Sequence, residues 1–236
     1  MTDPATPSFR FQQRRPEDYP DPDANPYLRL HLDFGPPVVT AAQAQEVGGD
    51  WRGIFGREAP LHVEIGSGNG FYLAGMAQKH PEWSWLGIEI RFKRVILVAR
   101  KLRTAGVQNA RIARYDAFSV EEILPAGGVA GLYVNHPDPW PKGRHAKHRL
   151  LARPFGEFLC RVLAPGAPLR IKTDSGSYVE EFLAAVKGLP LTLLGRSDSI
   201  ARDGTPWPAA DDVITNYQRK FNERGLSVYG VWFVRE

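Results

Sequence analysis

Two stretches of this sequence hold residue types whose spacing could do chemistry. The first, Glu64-Ile-Gly-Ser-Gly-Asn-Gly70, sets three glycines at alternate positions behind an acid. Glycines just after a strand let the backbone take positive φ and approach a ligand closely. A dinucleotide fingerprint would place its third glycine at position 71, where this chain has Phe71. The G-x-G-x-G run therefore departs from pyrophosphate binding. It suits a smaller ligand with a cationic end, such as the sulfonium and ammonium of S-adenosylmethionine, held by Glu64 and by the backbone at Gly66 and Gly68. Glu89 closes the next apolar run, where a carboxylate can accept both hydroxyls of a ribose, by analogy with dinucleotide sites. Asp116 closes the run after that. It either reaches an adenine edge or N-caps a helix.

The second stretch runs from Asn135 to Arg149, N-H-P-D-P-W-P-K-G-R-H-A-K-H-R. Pro137, Pro139 and Pro141 remove backbone donors and stop both strand and helix, so the segment is a stiff loop. It carries one carboxylate, Asp138, and one indole, Trp140, which either stacks on a nucleobase or anchors the loop. The basic residues Lys142, Arg144, His145, Lys147, His148 and Arg149 follow at once and are candidate phosphate contacts, with a smaller basic group at Arg10, Arg14 and Arg15. No zinc-ligand spacing surrounds the histidines, and no metal site is expected.

These groups must be positioned by the elements around them. Leu61–Ile65 alternates as a strand, and Phe71–Lys79 reads as a helix stopped before Pro81. Strands are expected at 83–89, 110–115, 132–135, 169–173, 191–194 and 228–234. Helices are expected at 91–105, 150–163, 178–187 and 215–224, and a broken helix at 40–55 that packs Trp51, Ile54 and Phe55 on the core. Strands alternating with helices make an α/β domain with a doubly wound, mostly parallel sheet, whose ligands sit at the carboxyl ends of its strands. Residues 1–30, rich in Pro, Asp, Arg and Gln, read as a flexible arm, and 31–236 as a single domain. The chain of 236 residues is 43% hydrophobic and 24% charged, which supports a sizeable core. No run reaches the length of a membrane span, and the N-terminus lacks the apolar core of a secretory signal. A single cysteine, Cys160, excludes an intrachain disulfide. A cytoplasmic protein is expected. The net charge of +4 is modest, and its clustering says more than its size.

Taken together, Glu64-Ile-Gly-Ser-Gly-Asn-Gly, Gly-Ile-Glu89, Pro137-Asp-Pro-Trp-Pro-Lys142 with Arg144-His145, Thr173-Asp174 and Thr215-Asn-Tyr217 resemble the bacterial tRNA (guanine-N7-)-methyltransferase family. The likeness runs from about Leu61 to the C-terminus, and the D-P-W-P-K-x-R-H segment is its most discriminating part. It implies the Rossmann-like fold of class I S-adenosylmethionine-dependent methyltransferases, with S-adenosylmethionine as cofactor and tRNA as partner. It implies methylation of N7 of the guanosine at position 46 in the variable loop. It places Glu64, Glu89, Asp116 and Asp138 at the cofactor, with Asp138 also the catalytic residue. It places Lys142, with Arg144 beside it, Asp174 and the Thr215–Gln218 segment with Tyr217 at the substrate. The chain departs from the family at His136-Pro137, where Phe-Pro or Phe-Ser is usual, and at Gln218, where Glu is usual. The second change leaves the guanine-edge contact to Asp174 alone or to the Gln218 amide oxygen. The implied chemistry fits the residue inventory, because N7 has a free lone pair and no proton to lose, so no strong general base is needed. Two other readings compete. An exocyclic-amine methyltransferase is suggested by the distant likeness of Asn135-His-Pro-Asp-Pro-Trp to an N-P-P-Y loop, and the methylated purine atom would separate it. A non-catalytic RNA-binding module on the same fold would show no methyl transfer.

Overall fold

A computed structural model describes residues 25–140 and 148–236. Residues 1–24 of the expected arm lie outside these, as do Lys142, Arg144, His145 and Lys147 of the basic run. Residues 25–30, read from sequence as part of the arm, are folded. Asn25 caps helix α1 (Pro26–Asp33) by accepting from Tyr27 N, and proline fills its first turn. Leu28, fully buried, and His31 then anchor the helix. Strand β1 (Val38–Val39) follows. The expected broken helix is two helices, α2 (Ala41–Glu46) and α3 (Arg52–Phe55), parted at Gly48 and Gly49, both at positive φ. Thr40 and Gln43 close a capping box at the head of α2. Trp51 and Phe55 are buried, and Trp51 Nε1 donates to Ile123 O at 2.7 Å.

The remaining strands are β2 (Leu61–Ile65), β3 (Ser84–Glu89), β4 (Ala110–Arg114), β5 (Val129–Asn135), β6 (Pro168–Thr173), β7 (Leu191–Ser197) and β8 (Tyr229–Arg235). The remaining helices are α4 (Phe71–Lys79), α5 (Phe92–Thr104), α6 (Arg153–Val162), α7 (Gly176–Ala185), α8 (Ile200–Asp203) and α9 (Asn216–Glu223). The strands form one sheet in the order β1-β4-β3-β2-β5-β6-β8-β7. Pairing is parallel from β1 across to β6, and β8 runs antiparallel to both β6 and β7. This is the expected doubly wound, mostly parallel sheet. Helix α6 starts at Arg153 rather than Leu150, with Pro154 in its first turn.

Central strands are apolar on both faces because helices cover both. In β5, Leu132 and Val134 join the layer of α6 and α7, while Tyr133 joins the layer of α4 and α5. Every residue of β2 is buried, and its even positions, His62 and Glu64, are polar. His62 is stacked on Trp83, with ring centres 4.0 Å apart, and its Nδ1 lies 3.0 Å from Tyr133 Oη. Glu64 is met by the Asn135 amide at one carboxylate oxygen, and its other oxygen is the polar atom of β2 that the core does not explain.

Candidate active site

The chain runs outward through β3 and β4 on one side of β2 and through β5 and β6 on the other, so a crevice opens above the carboxyl ends of β2 and β5. Asn135, the last residue of β5, donates from Nδ2 to Glu64 Oε1 across it at 2.9 Å. Glu64 is 1% exposed, and its Oε2 has no hydrogen-bond partner among the described residues. Burial pushes its carboxyl up to about 7, against the opposing pull of Asn135 and Ser67. A buried carboxylate with one open oxygen is costly unless a cation or donor meets it. It fits the ammonium end of S-adenosylmethionine.

The glycine loop follows directly. Gly66, Gly68 and Gly70 take φ of +79°, +53° and +73°, a left-handed backbone that costs side-chain-bearing residues energy. Gly66 N and Ser67 N both donate to Ile88 O, which ties the loop to β3. Glu89 ends β3 and holds the loop from the other side. Its Oε2 accepts from Gly68 N at 3.2 Å and its Oε1 from Arg91 N at 2.9 Å, and burial raises its pKa. Asp116 lies just beyond β4, 5% exposed. Its Oδ1 accepts from Phe118 N at 3.0 Å and its carbonyl from Ser119 N, so it closes a turn, and Ser119 rather than Asp116 stands at the N-cap of the short helix that follows.

On the other side of the crevice, the loop after β5 holds Asp138 exposed between Pro137 and Pro139. His136 and Trp140 flank this stretch, and both take positive φ, +53° and +44°. Left-handed non-glycine residues persist only where the surroundings over-determine them. For His136 the surroundings are plain. Its N donates to Lys172 O at 2.7 Å, its Nε2 stands 2.9 Å from Thr215 Oγ1, and its ring lies against Tyr217 at 4.5 Å. Burial, with help from Lys172, lowers its pKa to about 3, so the ring is neutral. Thr215 caps α9 by accepting from Gln218 N at 2.9 Å. Tyr217, 42% exposed, donates to Asp174 Oδ2 at 2.9 Å. Trp140 is 37% exposed, on the surface rather than buried as a loop anchor.

The structure thus brings Asp138, Asp174, Thr215 and Tyr217 to one rim, and Glu64, Gly66, Gly68 and Glu89 to the facing one. Gln218 is placed differently from the substrate-facing expectation. It is 2% exposed, and its Oε1 accepts from Lys172 Nζ at 2.9 Å. Lys172 is itself 1% exposed and pairs with Asp212 at 2.7 Å. The Gln218 amide oxygen is therefore spent inside the protein, and Asp174 is the family-matched acid left at the rim. Asn135, His136, Lys172 and Asp212 were given no role from sequence. Asn135 and His136 stand in the loop singled out there, whereas only the rarity of a lysine inside an apolar strand run signals Lys172. Lys142 and Arg144 lie outside the described residues. Among the described residues, no group of three His, Cys, Asp or Glu could hold a metal ion, and no helix is long and apolar enough to cross a membrane.

Comparison with known proteins bears on family and fold. A family model described as a putative methyltransferase matches residues 58–231. The tRNA (guanine-N(7)-)-methyltransferase of Streptococcus thermophilus is 31% identical over 195 residues, 83% of this chain and 90% of that protein. The protein of the same description from Geobacillus kaustophilus is 34% identical over 187 residues, 79% of this chain and 84% of that one. Among solved structures, the 16S rRNA methyltransferase KamB superposes with a TM-score of 0.56 at 14% identity, covering 83% of this chain and 94% of its own. A 16S rRNA (adenine(1408)-N(1))-methyltransferase from Catenulisporales acidiphilia, solved with the cosubstrate, gives 0.52 at 16% identity, covering 79% and 90%. At such identities these two speak for the fold alone.

Proposed function

The chain belongs to the tRNA (guanine-N7-)-methyltransferase family and methylates guanine N7 in tRNA with S-adenosylmethionine, and from that premise we propose how its own residues do so and on which guanosine. The observation that carries the proposal is the open, buried oxygen of Glu64, whose other oxygen is held by Asn135 at the start of the loop that carries Asp138. Glu64 receives the ammonium of the cofactor, Glu89 the ribose hydroxyls and Asp116 the adenine edge, with Gly66 and Gly68 giving the backbone close approach. Held by these residues, the cofactor would supply a methyl group on a sulfonium, which the N7 lone pair would take while sulfur kept the electrons of the S–C bond. No proton moves, so the protein needs no base. It must hold N7 in line with the methyl group and favour the positive charge that passes to the purine.

Asp138 supplies that charge compensation. Its loop is stiffened by prolines and pinned by His136 to β6 and to Thr215, so the carboxylate is in place before the reaction. Asp174, Thr215 and Tyr217 seat the guanosine, and Gln218 acts only through Lys172, which holds the segment down. Lys142 and Arg144 are assigned to the substrate RNA on their match to the family motif. The target is the variable-loop guanosine at position 46, and the protein works in the cytoplasm. The test is incubation with labelled S-adenosylmethionine and unmodified tRNA, followed by nucleoside analysis and mapping. We expect 7-methylguanosine at that position. A methyl group on an exocyclic amine, or none, overturns the proposal.

A further inference from the structure

Several arginines away from the crevice are paired with carboxylates. Arg52 meets Asp50, Arg149 meets Glu181, Arg153 meets Glu157, Arg161 meets Glu121, Arg196 meets Glu180 and Asp198, and Arg202 meets Asp203. Helices α5 and α9 differ. Between Phe92 and Thr104, α5 carries five cations and no acid. Its apolar stripe, Val95, Ile96, Val98, Ala99 and Leu102, is fully buried, so the outer face is all that a partner can meet. Arg100, Arg219 and Lys220 are exposed and Lys101 is half-buried, and none of the four has a carboxylate within ion-pair distance among the described residues.

One side chain from each helix approaches the same aromatic ring. Phe71, 36% exposed, is the first residue of α4 and follows the glycine loop directly. Lys101 Nζ lies 3.6 Å from the centre of its ring, and the Arg219 guanidinium lies 5.7 Å from it on the α9 side. Arg94 reaches back to Asn69 Oδ1 within the loop itself. Cations of one sign therefore run from the outer face of α5 across Phe71 to α9, whose cap residue Thr215 belongs to the opposite rim of the crevice. A shallow groove lined by Leu97, Arg100, Lys101 and Thr104 continues this track along α5.

We propose that Lys101 and Arg219, which meet at Phe71, form with their helix neighbours Arg100 and Lys220 a phosphate-binding track that grips the RNA backbone beside the methyl-transfer crevice, in addition to the basic residues of the run at 142–149. This rests on the tRNA-methylating reading. A surface with an excess of cations beside a site for a polyanion raises the local substrate concentration and releases counterions on contact, and of the two helices α9 adds one acid, Glu223, to the five cations of α5 and its own Arg219 and Lys220. An anionic membrane would suit the charges too, but it would want an exposed apolar stripe beside them, and α5 has turned its own inward.

The test compares wild type with the Arg100→Ala/Lys101→Ala/Arg219→Ala/Lys220→Ala variant. Binding of unmodified tRNA is followed by fluorescence anisotropy across a salt series, and S-adenosylmethionine binding by calorimetry. The expected result is a slope of log affinity against log salt that falls by about 0.7–0.9 for each phosphate no longer neutralised, with cofactor affinity within twofold of wild type. A wild-type slope overturns the track, and so does a wild type that does not bind tRNA. If the quadruple variant also loses cofactor affinity, a charge-preserving variant decides (Arg100→Lys/Lys101→Arg/Arg219→Lys/Lys220→Arg). Recovery of the wild-type slope supports the track, and continued loss shows that the four side chains are structural and overturns it. Sedimentation with phosphatidylserine vesicles that depends on the four residues, while the tRNA slope stays unchanged, points to a lipid surface instead and overturns it. Nucleoside analysis of the same samples keeps the two proposals apart. A changed slope without 7-methylguanosine from wild type fails the function and leaves the track. Normal 7-methylguanosine with an unchanged slope fails the track and leaves the function.

Discussion

Asp138 owes its place to its neighbours rather than to its own contacts. Pro137 and Pro139 fix φ on either side, and His136 ties the loop to Lys172 O and Thr215. Asp138→Asn should therefore fold and bind tRNA nearly as wild type, while losing the charge that faces the developing purinium. A preorganised contact of this kind is worth about 3 kcal/mol, roughly two orders of magnitude in rate. Single-turnover kinetics at saturating cofactor and tRNA read that step alone, and a rate within a few-fold of wild type would make Asp138 a structural loop residue. Glu64 makes a second prediction at this scale. With its carboxyl at about 7 it is part-protonated near neutrality, and a cation brought beside it favours the ionised form. Cofactor binding should release a fraction of a proton, and affinity should rise with pH through 7. Calorimetry in two buffers of different ionisation enthalpy measures the release. Identical heats in both buffers between pH 6 and 8 would remove Glu64 from the ammonium site, and Glu64→Gln should weaken binding and abolish the pH dependence.

At the scale of elements, the turn from β2 into α4 decides the geometry of the cofactor side. A Cβ on Gly70 would lie 3.0 Å from both Cα and Cγ1 of Val98 on α5, and the residue sits at φ +73°. Gly70→Ala should cost about 1–2 kcal/mol for the left-handed backbone and more for pushing α5 away, with cofactor affinity falling in step. Gly53 in α3 is the control. Its φ is ordinary and nothing lies within 4 Å of an added Cβ, so Gly53→Ala should be neutral or stabilise by up to about 1 kcal/mol. Denaturant unfolding of both variants checks the pair, and equal effects would contradict the packing argument. This turn was legible in the sequence because its signal is local: alternation, then glycines, then a helical period. The same holds for Glu64, Glu89 and the Asp138 loop, each placed by the strand it ends or follows. The Lys172–Asp212–Gln218 cluster was not legible, since its members lie 40 and 46 residues apart in the chain and meet only when β6 and α9 dock. Without it, Gln218 looks like a surface amide. Helix α1 was hidden in a segment whose composition reads as an arm, and β1 and α8 are too short to show a period.

The whole molecule responds to pH through groups that folding desolvates. Burial lowers His31 to about 4 and His62 and His136 to about 3, from an ordinary 6.5. The unfolded chain takes up these protons first as pH falls, so the stability the neutral rings support is present above 6.5 and is lost as pH drops toward 3. Glu64 works the other way. Raised from 4.5 to about 7, it stabilises the fold below 4.5 and loses that contribution as pH rises through 7. Three histidines outweigh one carboxyl, so the melting temperature should climb between pH 4.5 and 6.5 and level off near 7. Bound S-adenosylmethionine should add most above 7, where Glu64 is ionised and otherwise unmet. His31 offers the clearest check. It is 1% exposed on α1, edge-on to Phe92, and neither ring nitrogen has a hydrogen-bond partner among the described residues. Replacing it with leucine removes two unsatisfied polar atoms from the interior, a gain on the order of 1–2 kcal/mol, and one of the three titrations. Thermal melts from pH 4 to 8 should show His31→Leu melting higher than wild type at pH 7 and falling less steeply below 6.5. An acid limb as steep as wild type's would mean that His31 is not among the groups whose protonation unfolds the protein.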